Sequence, residues 1–222
     1  MAFHRSSVGE GEGSSVQLTA AVQQGYKATT RPLTDGLIRA GITPNAITTA
    51  AALVVILSAI AFGVGWIRVG GALLLLSGIL DTLDGDVARA AGQATRFGAF
   101  YDSTLDRVGD GATFIGIATF LLTTTGIRYP VVGAVICMVA ILSSLLVSYA
   151  RARAEGLGLD CKVGLVQRAE RILLIGIPSL VVGAGPGGLV LQSIVALLAI
   201  GSTITVVQRF LYVHQITQRS AQ

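Results

Sequence analysis

From Asn45 to Gln208 the chain is a succession of apolar runs, each close to the ~20 residues a helix needs to cross a bilayer. Short polar or glycine-rich breaks separate them. The first run, about Asn45 to Ile67, is uncharged and opens on Thr43-Pro44, an N-cap followed by proline at the first helical position. Arg68 and Gly70-Gly71 are expected to turn the chain into a second run, about Val69 to Ala91, which is apolar until Asp81. After a tight loop at Gly92 to Arg96, a third run, about Phe97 to Thr125, carries Asp102, Asp106 and Asp110 in its first half. Gly126 to Pro130 turn the chain, and a fourth run, Val131 to Ala150, ends in Arg151-Ala-Arg153-Ala-Glu155. A polar loop with Asp160 and Lys162 leads to Arg168-Ala-Glu170-Arg171, which opens a fifth. The uncharged stretch from Ile172 to Gln208 is too long for one crossing; Gly183 to Gly188 divide it and leave a sixth run from Leu189.

The first forty residues read differently. They lack the continuous apolar core of a cleaved signal peptide, so residues 1–15 are expected to be a disordered cytosolic tail. From Val16 to Ala40, Leu18, Val22, Tyr26, Leu33, Leu37 and Ile38 recur at roughly helical spacing among Lys27, Arg31 and Arg39. That pattern predicts an amphipathic helix lying on the bilayer surface. Residues 16–222 then form one membrane domain: an all-α, polytopic protein with six transmembrane helices preceded by this interfacial helix.

Composition agrees. Only 13% of the 222 residues are charged and 52% are hydrophobic, against about 25% charged in soluble domains. Cys137 and Cys161 make no disulfide framework. On a six-span topology only Arg68 and Arg128 of the 16 basic residues fall on one face. The positive-inside rule therefore puts both termini and the acidic segment on the cytoplasmic side of the cell (inner) membrane.

Charge placement also singles out the segment Asp81-Thr-Leu-Asp84-Gly85-Asp86-Val-Ala88-Arg89, continued by Gly98-x3-Asp102-x3-Asp106, which holds five of the twelve carboxylates. An ionisable side chain inside a membrane costs roughly 2.5–3.5 kcal/mol and points to function by default. Asp81 and Asp84 are three apart and Asp102 and Asp106 four apart, so each pair shares a helix face. The turn at Gly92 makes the two helices antiparallel neighbours. Asp86 lies about 140° around the helix from Asp81 and points elsewhere. Clustered carboxylates do not all ionise without cations, and oxygen-only ligation suits Mg²⁺, Mn²⁺ or Ca²⁺. Two such ions usually serve phosphoryl chemistry. Gly85 and Gly98 leave room for a diphosphate, and Arg89 can offer it a cation. A structural ion pair such as Asp84 with Arg89 is the bland alternative.

The pattern Asp81-x2-Asp84-Gly85-x2-Ala88-Arg89-x8-Gly98-x3-Asp102-x3-Asp106 resembles the signature of the CDP-alcohol phosphotransferases. The resemblance implies that Asp81, Asp84, Asp102 and Asp106 bind two Mg²⁺ (or Mn²⁺) ions, and that Asp106 is also the catalytic base on the acceptor hydroxyl while CMP leaves. It further implies that Gly85, Arg89 and Thr95, with Pro44-Asn45-Ala46-Ile47 at the start of the first span, hold the CDP-lipid. A helix N-terminus offers free N–H groups for that role.

Ser148, Arg151, Arg153, Arg168, Arg171 and Arg209 come from the ends of three spans on the same face. Arginines converging from separate helices suit an acceptor phosphate; the alternative is that they anchor helices at an anionic leaflet. The segments Ser148 to Glu155, Gln167 to Arg171 and Gln208-Arg209 resemble those of the bacterial phosphatidylinositol phosphate synthase branch of the family. That resemblance implies transfer of a phosphatidyl group from CDP-diacylglycerol to inositol phosphate, by a homodimer in the lipid bilayer, with no nucleic-acid partner. Glycerol 3-phosphate as acceptor and an archaeal ether-lipid donor stay open. A cation transporter would also carry intramembrane acids, but near the midplane of repeated halves, and no repeat is visible here.

Overall fold

The computed structural model describes residues 31–220. The expected tail, and all of the expected interfacial helix before residue 31, lie outside the described residues. The rest is helical, with no strand among the described residues. Helix α1 comprises residues 31–39. The bundle follows as α2 (Pro44–Gly63), α3 (Ile67–Ala90), α4 (Arg96–Thr123), α5 (Pro130–Glu155), α6 (Arg168–Val181), a 3-10 turn at Pro186–Gly188, and α7 (Leu189–Ser220).

Local chemistry explains the starts. Thr43 Oγ1 accepts from the Ala46 amide at 3.3 Å with Pro44 at the first helical position. Thr95 Oγ1 accepts from the Gly98 amide at 2.9 Å. At α6, the Gln167 amide donates to Glu170 Oε2 at 3.0 Å. Each bond satisfies an amide that a helix N-terminus would otherwise leave unpaired.

One turn falls elsewhere than expected. Gly70 and Gly71 lie inside α3, and the chain reverses at Val64–Trp66, where Gly65 has φ 86°. The glycine pair serves packing instead. The Gly70 carbonyl accepts from Ser58 Oγ at 2.7 Å, and a Cβ on Gly71 would stand 2.8 Å from the Gly176 carbonyl of α6. The helices also outrun the apolar runs: α5 continues through Arg151 and Glu155, and α7 reaches Ser220.

Among the described residues, three helical stretches are long and apolar enough to cross a membrane: Pro44–Gly63, Pro130–Glu155 and Pro186–Gln218. Helices α3 and α4 have the length, at 24 and 28 residues, but carry acids through one half. Helix α6, at 14 residues, spans about 21 Å, less than the ~30 Å hydrocarbon core.

The main core, built on Phe62, Phe114, Ile117, Leu121 and Leu198, joins α2–α7. A smaller cluster of Ile47, Leu83 and Val87 lies toward the acidic end, and Leu37 and Ile38 of α1 pack against it. Leu53, Leu57, Val131, Leu142 and many other apolar side chains face outward, as suits a bundle surrounded by lipid. Lipid tails remove the hydrophobic drive for helix pairing, so close backbone approach through small residues does that work. On α4, Gly109 abuts Val55 and Gly116 abuts Ala59, both on α2.

A side chain at Gly116 would meet the Ala59 backbone, 2.8 Å from its carbonyl carbon, whereas a Cβ at Gly111 meets nothing within 4 Å. Overpacking of this kind costs about 1–3 kcal/mol or more. Gly116→Leu should therefore melt several degrees below wild type in detergent, while Gly111→Ala should melt with it.

Candidate active site

Helices α3 and α4, joined by the loop at Gly92 (φ 63°), are not the close neighbours expected: both pack against α2, and their acidic stretches meet across the space beside it. Asp81, Asp102 and Asp106 come together, each offering a carboxylate oxygen within 4.8 Å of the others. Asp84 lies one turn along α3, 6% exposed, where its Oδ2 accepts from Thr48 Oγ1 of α2 at 2.5 Å. Asp86 faces away and pairs with Arg89 at 2.7 Å, so the alternative pairing of Asp84 with Arg89 is not formed.

The donor set is oxygen only, and Asp102 Oδ1 is buried without a hydrogen-bond partner. Three carboxylates this close, one with an idle oxygen, fit a hard divalent cation.

Two cavities meet at this cluster. A cleft of about 170 Å³ opens on the Asp84 side, lined by Pro44, Asn45, Thr48, Gly85, Arg89, Thr95, Gly98 and Asp102 among others. Its floor is narrow: a Cβ on Gly98 would lie 3.1 Å from Thr95 Oγ1 and 3.3 Å from Asn45 Oδ1. Of the residues expected at a CDP-lipid, Pro44, Asn45, Gly85, Arg89 and Thr95 line it, and Ala46 and Ile47 do not. Successive helical residues are ~100° apart, so four in a row do not share one face. Ile47 turns instead toward Leu83 and Val87, and Ala46 is exposed. Thr48, one turn after Pro44, is the residue that sequence reasoning missed here.

The second cavity is a groove of about 800 Å³ between α4 and α5. Asp102, Asp106, Arg107, Ser148, Tyr149, Arg151 and Glu155 are among its lining residues. Asp102 therefore belongs to both cavities. Arg107 and Glu155 were not expected; their signal was position, Arg107 beside Asp106 and Glu155 one turn beyond Arg151.

The six residues expected at an acceptor phosphate separate here. Ser148 and Arg151 line the groove, with Arg151 Nε on Glu155 Oε1 at 2.8 Å. Arg153, about 200° around α5 from Arg151, is exposed and off the groove. Arg168 Nη1 reaches in among the carboxylates, pairing with Asp81 Oδ2 and, at 2.9 Å, with Asp106 Oδ1. Arg171, almost fully buried, pairs with Asp110 one turn deeper on α4. Arg209 is buried and donates to two backbone carbonyls, Val163 at 2.9 Å and Val147. It ties α7 to α5 and to the segment before α6. Spacing alone could not separate a guanidinium facing a cavity from one capping buried carbonyls.

Residues 41–207 match the family model described as CDP-alcohol phosphatidyltransferase, and the chain belongs to this family. A curated relative, the phosphatidylinositol phosphate synthase of Mycobacteroides abscessus, is 39% identical over 81% of this chain and 81% of its own length. The archaetidylinositol phosphate synthase of Methanothermobacter thermautotrophicus is also 39% identical, over 83% of this chain and 88% of its own. Among solved structures, the phosphatidylinositol phosphate synthase of Mycobacterium tuberculosis is similar at 32% identity. With CDP-DAG bound it superimposes at a TM-score of 0.73, covering 83% of this chain and 92% of that one. In complex with manganese and citrate the TM-score is 0.74, with 83% and 88% covered.

The two kinds of arginine should separate under mutation. Arg209→Met removes two hydrogen bonds made by a buried guanidinium, worth about 1.5–3 kcal/mol each, and should lower the melting temperature in detergent. Arg151→Met removes only a half-exposed pair worth about 0–1 kcal/mol and should leave melting near wild type. Thermal unfolding of both variants checks this.

Proposed function

We propose that this chain transfers the phosphatidyl group of CDP-diacylglycerol to inositol phosphate, giving phosphatidylinositol phosphate and CMP. The single observation that carries the reading is the position of Asp102, which lines the narrow cleft and the cation-bearing groove at once. Donor and acceptor then meet across one carboxylate. Similarity to synthases of phosphatidylinositol phosphate over most of the chain supports the choice of acceptor.

The CDP moiety occupies the cleft. Pro44 and Asn45 bring the N-terminus of α2 to its mouth, where the positive end of the helix dipole favours phosphate. Gly85 and Gly98 leave the diphosphate room, Arg89 offers it a mobile cation, and Thr95 holds the α4 start on the opposite wall. Two Mg²⁺ or Mn²⁺ ions, held by Asp81, Asp84, Asp102 and Asp106, would supply Lewis-acid stabilisation of charge on the transferring phosphate. In the groove, Arg107, Ser148 and Arg151 bind the acceptor phosphate, and Glu155 faces its hydroxyls. Asp106, at the end of the groove, accepts the proton of the attacking hydroxyl. Cytidine monophosphate departs from the cleft side.

The lipid tails lie in the bilayer beside the apolar outer faces of α2 and α5. Helices α2–α7 make six spans, the short α6 among them, and α1 rides the interface. Arg68 and Arg128 lie at the end away from the carboxylates, so the positive-inside rule turns the site toward the cytoplasm of the inner membrane. The enzyme works as a homodimer. A second reading changes only the donor. The archaetidylinositol phosphate synthase, as similar as the bacterial relative, favours an ether-linked lipid on the same chemistry.

Purified protein should release CMP from CDP-diacylglycerol with Mg²⁺ and inositol phosphate, far faster than with glycerol 3-phosphate. Asp106→Asn should lower the rate by about 10²-fold or more, the usual weight of a general base. Equal rates with the two acceptors, or an Asp106→Asn variant as active as wild type, would sink the proposal. Mass spectrometry of the product lipid, with ester and ether donors supplied side by side, decides the donor.

A further inference from the structure

Arg168 is the residue whose position least fits a simple acceptor contact. Its Nη1 stands between Asp81 and Asp106, two of the three carboxylates that converge for metal. Its attachment there also differs from that of its neighbours. Arg171 makes a hydrogen bond to Asp110, and Arg209 makes two to backbone carbonyls. Arg168 Nη1 and Nε, although buried, make no hydrogen bond of acceptable geometry. Its hold on Asp81 and Asp106 is chiefly that of an ion pair. A contact of that kind is readily exchanged for a stronger charge in the same position.

The backbone beneath Arg168 is fixed. The Gln167 amide is bonded to Glu170, and the Leu165 and Val166 amides both donate to Thr205 Oγ1 of α7, at 3.2 and 3.1 Å. Arg168 is the first residue of α6, so its long side chain can swing without disturbing the helix. It also lies against Asp106, which borders the groove. A divalent ion on Asp81 and Asp106 would face a guanidinium on the same oxygens, and like charges at that distance repel.

We propose that Arg168 and the divalent cation are alternative partners of Asp81 and Asp106, so that metal loading displaces the guanidinium toward the acceptor groove. Without metal, Arg168 neutralises the carboxylates. With metal, it becomes available to the acceptor's phosphate. Metal and acceptor then bind in order, the first opening the second. The acceptor half of this scheme rests on the proposed function; the exchange at the carboxylates does not.

Titration of purified, substrate-free protein with Mn²⁺, followed by the electron paramagnetic resonance of the free ion, tests the exchange. Arg168→Gln should bind Mn²⁺ about tenfold more tightly than wild type, within the ~5–150-fold usual for coupled sites. Arg168→Lys should stay near wild type, and Arg153→Gln, exposed and off the groove, should not change. Equal or weaker Mn²⁺ binding by a folded Arg168→Gln overturns the proposal. Wild-type protein provides a readout that needs no variant. Mn²⁺ should speed modification of Arg168 by phenylglyoxal, read on its peptide by mass spectrometry, and a rate unchanged or slowed by Mn²⁺ also overturns it. If the exchange holds but inositol phosphate binds no better with Mn²⁺ than without, the acceptor assignment fails while the exchange stands.

Discussion

Negative charge placed inside an apolar bundle must be matched within a few ångströms, and that requirement organises this molecule. Each acid of the inner row except Asp102, whose Oδ1 is left without a hydrogen bond, has its own answer. Asp84 takes a hydroxyl from Thr48, Asp81 and Asp106 share a guanidinium from α6, and Asp110 takes another from the same helix. At roughly 2.5–3.5 kcal/mol per unmatched charge in a membrane setting, leaving all four acids of the signature unpaired would rival the whole stability of an ordinary domain. Helix α6 is accordingly more than a span. It rests on α3 through Gly71 and Gly176 and sends two arginines across toward α4.

Glycine makes this geometry possible in two unrelated ways. At Gly92 the backbone adopts φ 63°, which lets a short loop reverse the chain between α3 and α4, and α2, packed on both, brings the two halves of the signature together. At Gly109 and Gly116 it is the missing side chain that counts, since α2 and α4 approach until backbone meets side chain or backbone. Were those helices farther apart, the cleft between them would widen and its small residues would lose contact with whatever it holds.

Much of this was legible in the sequence, for identifiable reasons. The acidic signature is local: two short segments whose spacing sets the face and whose glycine turn reverses the chain, so Asp81, Asp102 and Asp106 converge, while Asp84, expected with them, turns to Thr48. The cap at Thr43 is local too. What failed was non-local. The five arginines looked equivalent by charge and by helix end, yet Arg151 faces a groove, Arg171 neutralises an acid and Arg209 donates to backbone carbonyls. Which of these a guanidinium does depends on what the facing helix offers, and no spacing rule reports that. Gly70 and Gly71 misled for the same reason: a glycine pair reads as a turn until a neighbouring helix is known to press on it. Thr48 escaped because its importance comes from Asp84, thirty-six residues away in the chain.

The width of the groove bears on fidelity. A narrow cleft of about 170 Å³ holds one side of the shared carboxylate, but the other side opens into about 800 Å³. Water enters such a space as freely as a polyol does. Under the proposed chemistry, a water beside Asp106 would be a competing nucleophile, turning the activated lipid into phosphatidic acid and wasting the nucleotide. The cations on the groove wall then do more than select one alcohol among several. By holding a hydroxyl-rich anion against the open side, they keep solvent from becoming the acceptor, so hydrolysis should show itself chiefly when the acceptor is scarce.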